Sequence, residues 1–193
     1  GADRIPVLLD LTGNTVGLSA GERLEYAKEG LQLTREDTGK DARAGFLLNG
    51  ALAALEAGQV ELGLLYASEA LELSTQLNNG AAKARALYLV GKSHIEAGGH
   101  LEGIRNLMAA RNAYQESGDR EEAIPAMHEL AFAYLIADSP DRAFLVAQEA
   151  VDLSRNAGDP AKTGKSLQVL GQINLTYARA LKERTSASSA GVD

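Results

Sequence analysis

A period of 40 residues runs through most of this chain and constrains its fold more than any other feature. Leu55-Glu56-Ala57-Gly58 returns as Ile95-Glu96-Ala97-Gly98 and again as Leu135-Ile136-Ala137-Asp138. In the second half of the unit, Gly30, Ala70, Ala110 and Ala150 fall in one column, and Ala27, Ala67, Leu107 and Ala147 in another. In the first half, Leu47, Leu87, Met127 and Leu167 form a column, followed four residues on by Ala51, Gly91, Ala131 and Gly171. Small residues recurring at one register let two helices cross closely. A unit of this size buries its apolar face only by stacking on its neighbours, so the period implies an array.

Within each unit the apolar residues are spaced as on a helix. Leu62, Leu65, Tyr66 and Leu73 trace one face, interrupted by Glu69. Gly118-Asp119 and Gly158-Asp159 each join a helix-ending glycine to a capping aspartate, and Pro160 suits a first helical turn, as does Ser139-Pro140 within a unit. Ser19 with Glu22 and Asp119 with Glu122 have the spacing of a capping box. These signals predict helix pairs at about 3–17 with 19–37, 41–57 with 59–77, 80–97 with 99–117, and 119–137 with 139–157, then a ninth helix at about 160–183. Pro6, Gly13 and Gly17 weaken the first of these. The fold class expected is all-α, one helical repeat domain over 1–183, with units of about 2–41, 42–81, 82–121 and 122–161 and a partial unit 162–183. Residues 184–193, rich in Ser and Ala, read as a disordered tail or linker.

Composition narrows the function. The chain has no Cys, which excludes a disulfide framework, a thiolate metal site and a thiol nucleophile, and fits a reducing cytoplasm. A formal charge of −7 disfavours a phosphate backbone as partner, so no nucleic acid is expected. No apolar run approaches the roughly 20 residues of a membrane-spanning helix, and no membrane association is expected. The chain opens on Gly1 rather than Met, which reads as a piece of a longer protein. His94, His100 and His128 form no contiguous metal motif, and Glu96-Ala97-Gly98-Gly99 lacks the Lys-Ser or Lys-Thr of a phosphate cradle. Glu121-Glu122 opens a helix, where the macrodipole favours negative charge. The expectation is no catalytic residue, metal or cofactor.

The columns resemble the tetratricopeptide (TPR) repeat family. Leu87, Val90-Gly91 and His94, then Gly103 and Ala110, follow the family's order in one unit; Met127, Leu130-Ala131 and Tyr134, then Ala143 and Ala150, follow it in the next. The resemblance covers about 41–175 well and 3–40 poorly, and the unit is similar to the 40-residue variety with Gly-Asp turns. It implies an α-α superhelix of about four helix pairs plus a C-terminal helix, whose first helices line a concave groove for a peptide or partner helix. Carried over residue by residue, the groove positions are Asn49, Leu52 and Leu55, then Arg85, Tyr88 and Lys92, then His128 and Phe132, then Lys165, Gln168 and Gln172. Arg85, Tyr88 and Lys92 share one helix face, an aromatic between two cations. Leu48, Leu52 and Tyr88 stand where the family's carboxylate-clamp residues belong, which argues against recognition of a chaperone tail.

On the last helix, Val169, Ile173 and Tyr177 form an apolar row, while Leu167, Leu170 and Leu181 are available to the preceding pair. A row with nothing left to cover it predicts a next unit, a folded-back tail or a partner chain, and the expectation is a homodimer through this helix or continuation into another domain. The leading expectation is a protein-interaction scaffold. The alternative is a regulatory or dimerising input domain of a larger bacterial signalling protein, such as a nucleotide cyclase or transcription regulator.

Overall fold

The chain is described from a computed structural model covering residues 2–13, 16–34 and 39–190. Among the described residues there are nine α-helices and no strand. They are α1 (Ile5–Gly13), α2 (Ala20–Leu33), α3 (Lys40–Glu56), α4 (Val60–Gln76), α5 (Gly80–Glu96), α6 (His100–Ser117), α7 (Ile124–Ile136), α8 (Pro140–Asn156) and α9 (Pro160–Ala190). They form two compact units, Gly1–Asp119 and Arg120–Asp193. In the first, each helix packs on the next and the first helices α1, α3 and α5 also touch in series; in the second, α7, α8 and α9 pack on one another.

The period has a backbone cause. Gly58, Asn78, Gly98, Gly118, Asp138 and Gly158 stand twenty residues apart, and all hold positive φ between 50° and 87°. Each of them but Gly118, which stands at the boundary between the two units, reverses the chain after one helix. At four of these turns the amide three residues past the helix reaches back five residues to close the turn: Gln59 N to Ala54 O (2.8 Å), Asn79 N to Ser74 O (3.0 Å), Gly99 N to His94 O (2.8 Å) and Ser139 N to Tyr134 O (2.8 Å). Asn78 and Asp138 adopt the left-handed conformation at modest cost because their short polar side chains tolerate it. Helix starts also follow the local chemistry. Glu22 N donates to Ser19 Oγ (3.2 Å) while Ser19 N and Oγ donate to Glu22 Oε2 (2.8 and 2.7 Å), which holds the Glu22 carboxyl below its ordinary value. Asp159 Oδ1 accepts from Ala161 N and Lys162 N at the start of α9.

Several boundaries differ from expectation. Helix α1 ends at Gly13, after a 3-10 turn at Ala2–Arg4, and α2 ends at Leu33, both short of the expected limits. Pro125 delays α7 to Ile124, and a 3-10 turn, Arg120–Ala123, fills the place of its expected first turn. Asp119 accordingly precedes no α-helical turn to cap, and its carboxylate accepts from Ser117 Oγ at 3.1 Å. Helix α9 runs on to Ala190, past the expected end at 183, because no Gly or Pro interrupts the Ser- and Ala-rich stretch before Gly191. Of the expected tail, 191–193 lie outside the described residues.

Core packing follows the small-residue columns, and volumes compensate across each crossing. A Cβ at Gly30 would stand 2.2 Å from the Phe46 ring, whereas the equivalent pair one unit on is Ala70 with Ala86, both fully buried. A Cβ at Gly91 would meet Leu107 at 2.8 Å, whereas the equivalent pair one unit earlier is Ala51 with Ala67. Where one helix carries a large side chain, its neighbour gives up its own. Two arginines tie successive helices in the N-terminal unit. Arg23, on α2, pairs with Glu56 on α3, and Arg43 binds Glu69 on α4 and the carbonyl oxygens of Leu31 and Thr34.

Gly30→Ala should therefore lose about 1–3 kcal/mol as the Phe46 ring is displaced. Gly164→Ala, on an exposed helical site where an added Cβ meets nothing within 4 Å, should gain about 0.5–1 kcal/mol. Urea denaturation of the two variants reads both signs, and equal midpoints would contradict this packing.

Candidate functional site on the first helices

The first helices carry a chain of polar contacts on the side away from their second helices' small-residue columns. In the N-terminal unit, Asn49 Nδ2 on α3 donates to Thr12 Oγ1 on α1 (3.0 Å), and Arg85 Nη2 on α5 donates to Asn49 Oδ1 (2.8 Å). Three successive first helices are linked through one amide. In the C-terminal unit, His128 on α7 lies 2.9 Å from Ser166 Oγ on α9. The linked residues are 37, 36 and 38 positions apart, two to four residues short of the 40-residue period. Neighbouring first helices are thus offset by up to about one helical turn.

This geometry fixes the Asn49 side chain. Its oxygen points to Arg85 and its nitrogen to Thr12, leaving one amide hydrogen and one lone pair of the group for a further partner. Leu52 and Tyr88 flank it, both half-buried against the core cluster that includes Leu47, Ala51, Leu89 and Val90. Lys92 pairs with Glu96 at 3.1 Å, one turn further along α5. Of the expected N-terminal groove residues, Asn49, Leu52, Arg85 and Tyr88 are thus brought together. Around the expected aromatic between two cations, Arg85 donates to Asn49, Lys92 pairs with Glu96 and Tyr88 packs against the core cluster. Leu55 is buried over Gly63 and belongs to the core.

In the C-terminal unit, His128, Phe132, Gln168 and Gln172 occupy the corresponding places, the first two half-buried and the glutamines exposed. Burial, reinforced by the Lys165 ammonium and opposed by Glu129, holds His128 below the ordinary imidazole range. Thr12 and Ser166 are the contributors that the repeat columns do not reveal. Their signal is the offset, just under one period, between hydrogen-bonding side chains on consecutive first helices.

Val169 and Ile173 require a correction. They are 2% and 0% exposed, packed inside the C-terminal unit, and Tyr177 is half-buried with its hydroxyl donating to Asp141 Oδ1 at 3.3 Å. Leu167 and Leu181, expected to face the preceding pair, are instead 43% and 44% exposed. Gly171, the last member of the small-residue column, has open space where its own Cβ would be. The apolar row closed against α7 and α8 is therefore the opposite one.

Among the described residues no three acidic or histidine groups gather as a metal site, and no helix is long and apolar enough to cross a membrane. Neither a model of a known protein family nor a curated protein matches the sequence. Solved structures do match in three dimensions. A Rap protein complexed with competence and sporulation factor superposes with a TM-score of 0.70 at 18% identity, over 91% of this chain and 51% of that one. The TPR-like repeats of a putative kinesin light chain from Podosopora anserina give 0.68 at 12%, over 97% and 91%. This chain has a TPR-like helical-repeat fold. Aspartyl phosphate phosphatase F from Bacillus subtilis gives 0.72 at 12%, over 96% of this chain and 50% of that one, so the TPR-like chain spans about half the length of two of these three.

The buried imidazole makes a pH prediction. A group whose folded pKa lies below its unfolded value binds fewer protons in the native state, so stability is lost as pH falls from about 6.5 through the folded pKa. Between about pH 7.5 and pH 5 the wild-type melting temperature should fall further than that of His128→Gln, which keeps a hydrogen-bonding side chain. Parallel curves for the two proteins would contradict the assignment.

Proposed function

We propose that this chain is a protein-interaction module that holds an extended peptide or a partner helix on the first-helix face of its N-terminal unit. The observation that carries this reading is the Thr12–Asn49–Arg85 chain, which crosses three successive first helices and orients an amide with unused hydrogen-bonding capacity. An asparagine held in this way reads a peptide bond, because it offers one donor and one acceptor side by side. Leu52 and Tyr88 supply apolar contact beside it, and the Arg85 guanidinium favours a carboxylate or carbonyl on the ligand. His128, Phe132, Gln168 and Gln172 form a second candidate surface in the C-terminal unit, with two glutamine amides in solvent.

A second reading draws support from the comparisons: this fold matches about half of a Rap protein complexed with competence and sporulation factor. On that reading the module is the sensing part of a larger bacterial signalling protein, and ligand binding on the same face is its input. Both readings place the chain among binding proteins rather than enzymes, and in the cytoplasm.

Peptides selected from a random display library on the wild-type protein provide the test. Asn49→Ala should weaken the selected peptides about 5- to 30-fold, the loss of one or two hydrogen bonds, and Arg85→Glu should weaken them further. A selection that returns no binder, or binders indifferent to both substitutions, would overturn the proposal.

A further inference from the structure

Helix α9 exposes a second apolar row unrelated to the first-helix face. Leu167, Gly171, Asn174, Ala178 and Leu181 follow one another at alternating steps of four and three, so they lie along a single seam. All five are exposed. The repeat register says what such a seam is for. Leu167 and Gly171 belong to the columns that α3 and α5 turn toward their own second helices, where Ala51 meets Ala67 and Gly91 meets Leu107. On α9 the same columns meet nothing, and a Cβ at Gly171 would stand in open space. At Asn174 the seam joins a mainly apolar hollow of about 370 Å³, lined by Asp141, Phe144, Leu145, Asn174 and Tyr177.

We infer that the seam is covered by the same helix of a second copy of this chain, running antiparallel. The order of residues argues for a copy rather than an unrelated helix, because the seam is self-complementary about its midpoint. With a twofold axis at Asn174, Leu167 lies level with Leu181 of the second copy, and Gly171 within one residue, about 1.5 Å, of its Ala178. Large side chains meet at the ends and small ones beside the centre. The one polar residue of the seam falls on the axis, where two asparagine amides exchange reciprocal hydrogen bonds and fix register. Charge fits the same arrangement. Lys182, beside the seam, is eight residues from Asn174, so the two copies of this charge stand about 24 Å apart.

The chain has no native cysteine, so introduced thiols report the geometry directly. Sedimentation equilibrium should give a dimer for the full chain. Leu167→Glu with Leu181→Glu should weaken dimerisation at least tenfold while the circular dichroism spectrum is unchanged, since both side chains are exposed. Asn174→Cys should form a disulfide-linked dimer under mild oxidation. Leu167→Cys alone should not, because its copies lie about 21 Å apart, beyond the about 7 Å that a disulfide spans between Cα atoms, whereas Leu167→Cys with Leu181→Cys should. A monomeric wild type, or crosslinking through Leu167→Cys alone as a parallel pair would allow, overturns the inference. Neither result bears on the peptide-binding test, which reads α3 and α5.

Discussion

Helices in this chain approach closely because one side of each crossing forgoes volume, and the rest of the structure depends on that exchange. Gly91 accepts Leu107, Gly103 accepts Ile95 and Gly30 accepts Phe46, each at a distance no Cβ would permit. Where both partners are alanine, as at Ala51 with Ala67, the same spacing is reached by sharing the deficit. Packing at this density tolerates little change in volume. It commits one face of every helix to its neighbour, and the left-handed turns at twenty-residue intervals set which face that is.

That commitment separates stacking from recognition. Residues in the small columns have no freedom to evolve contacts to a ligand, whereas Asn49, Arg85 and Tyr88 sit on the remaining side of α3 and α5. Their polar contacts run from helix to helix, so a ligand lying across them would touch several units through side chains already oriented. The half-buried His128 with Ser166 places a similar bridge in the C-terminal unit.

Much of the fold was legible because its determinants are local. The Gly-Asp and Ser-Pro turns, the recurring quartet that ends in Gly58, Gly98 and Asp138, and the capping box at Ser19 and Glu22 all act over a few residues. What escaped was not local. The delayed start of α7 comes from Pro125 acting against the Asp119 capping signal. Both apolar rows of α9 are compatible with a helix face, so periodicity alone cannot say which one closes on α7 and α8. The register held the answer, since Leu167 and Gly171 belong to the columns that each first helix turns toward its own second helix, and no described helix follows α9. For the candidate site, the residue types on the first helices were readable, but their pairing was not. Arg85 with Asn49 depends on how far adjacent helices slide past each other, which no single column records, whereas Lys92 with Glu96 is a local pair one turn apart on α5.

The central claim is that first helices recognise and second helices stack. Hydrogen exchange read by mass spectrometry, with and without a display-selected peptide at saturation, tests it most directly. Peptide binding should slow exchange in 40–56 and 80–96, the segments of α3 and α5, and leave 60–76 and 100–117 unchanged. Protection centred on α4 or α6, with α3 and α5 unaffected, would contradict it.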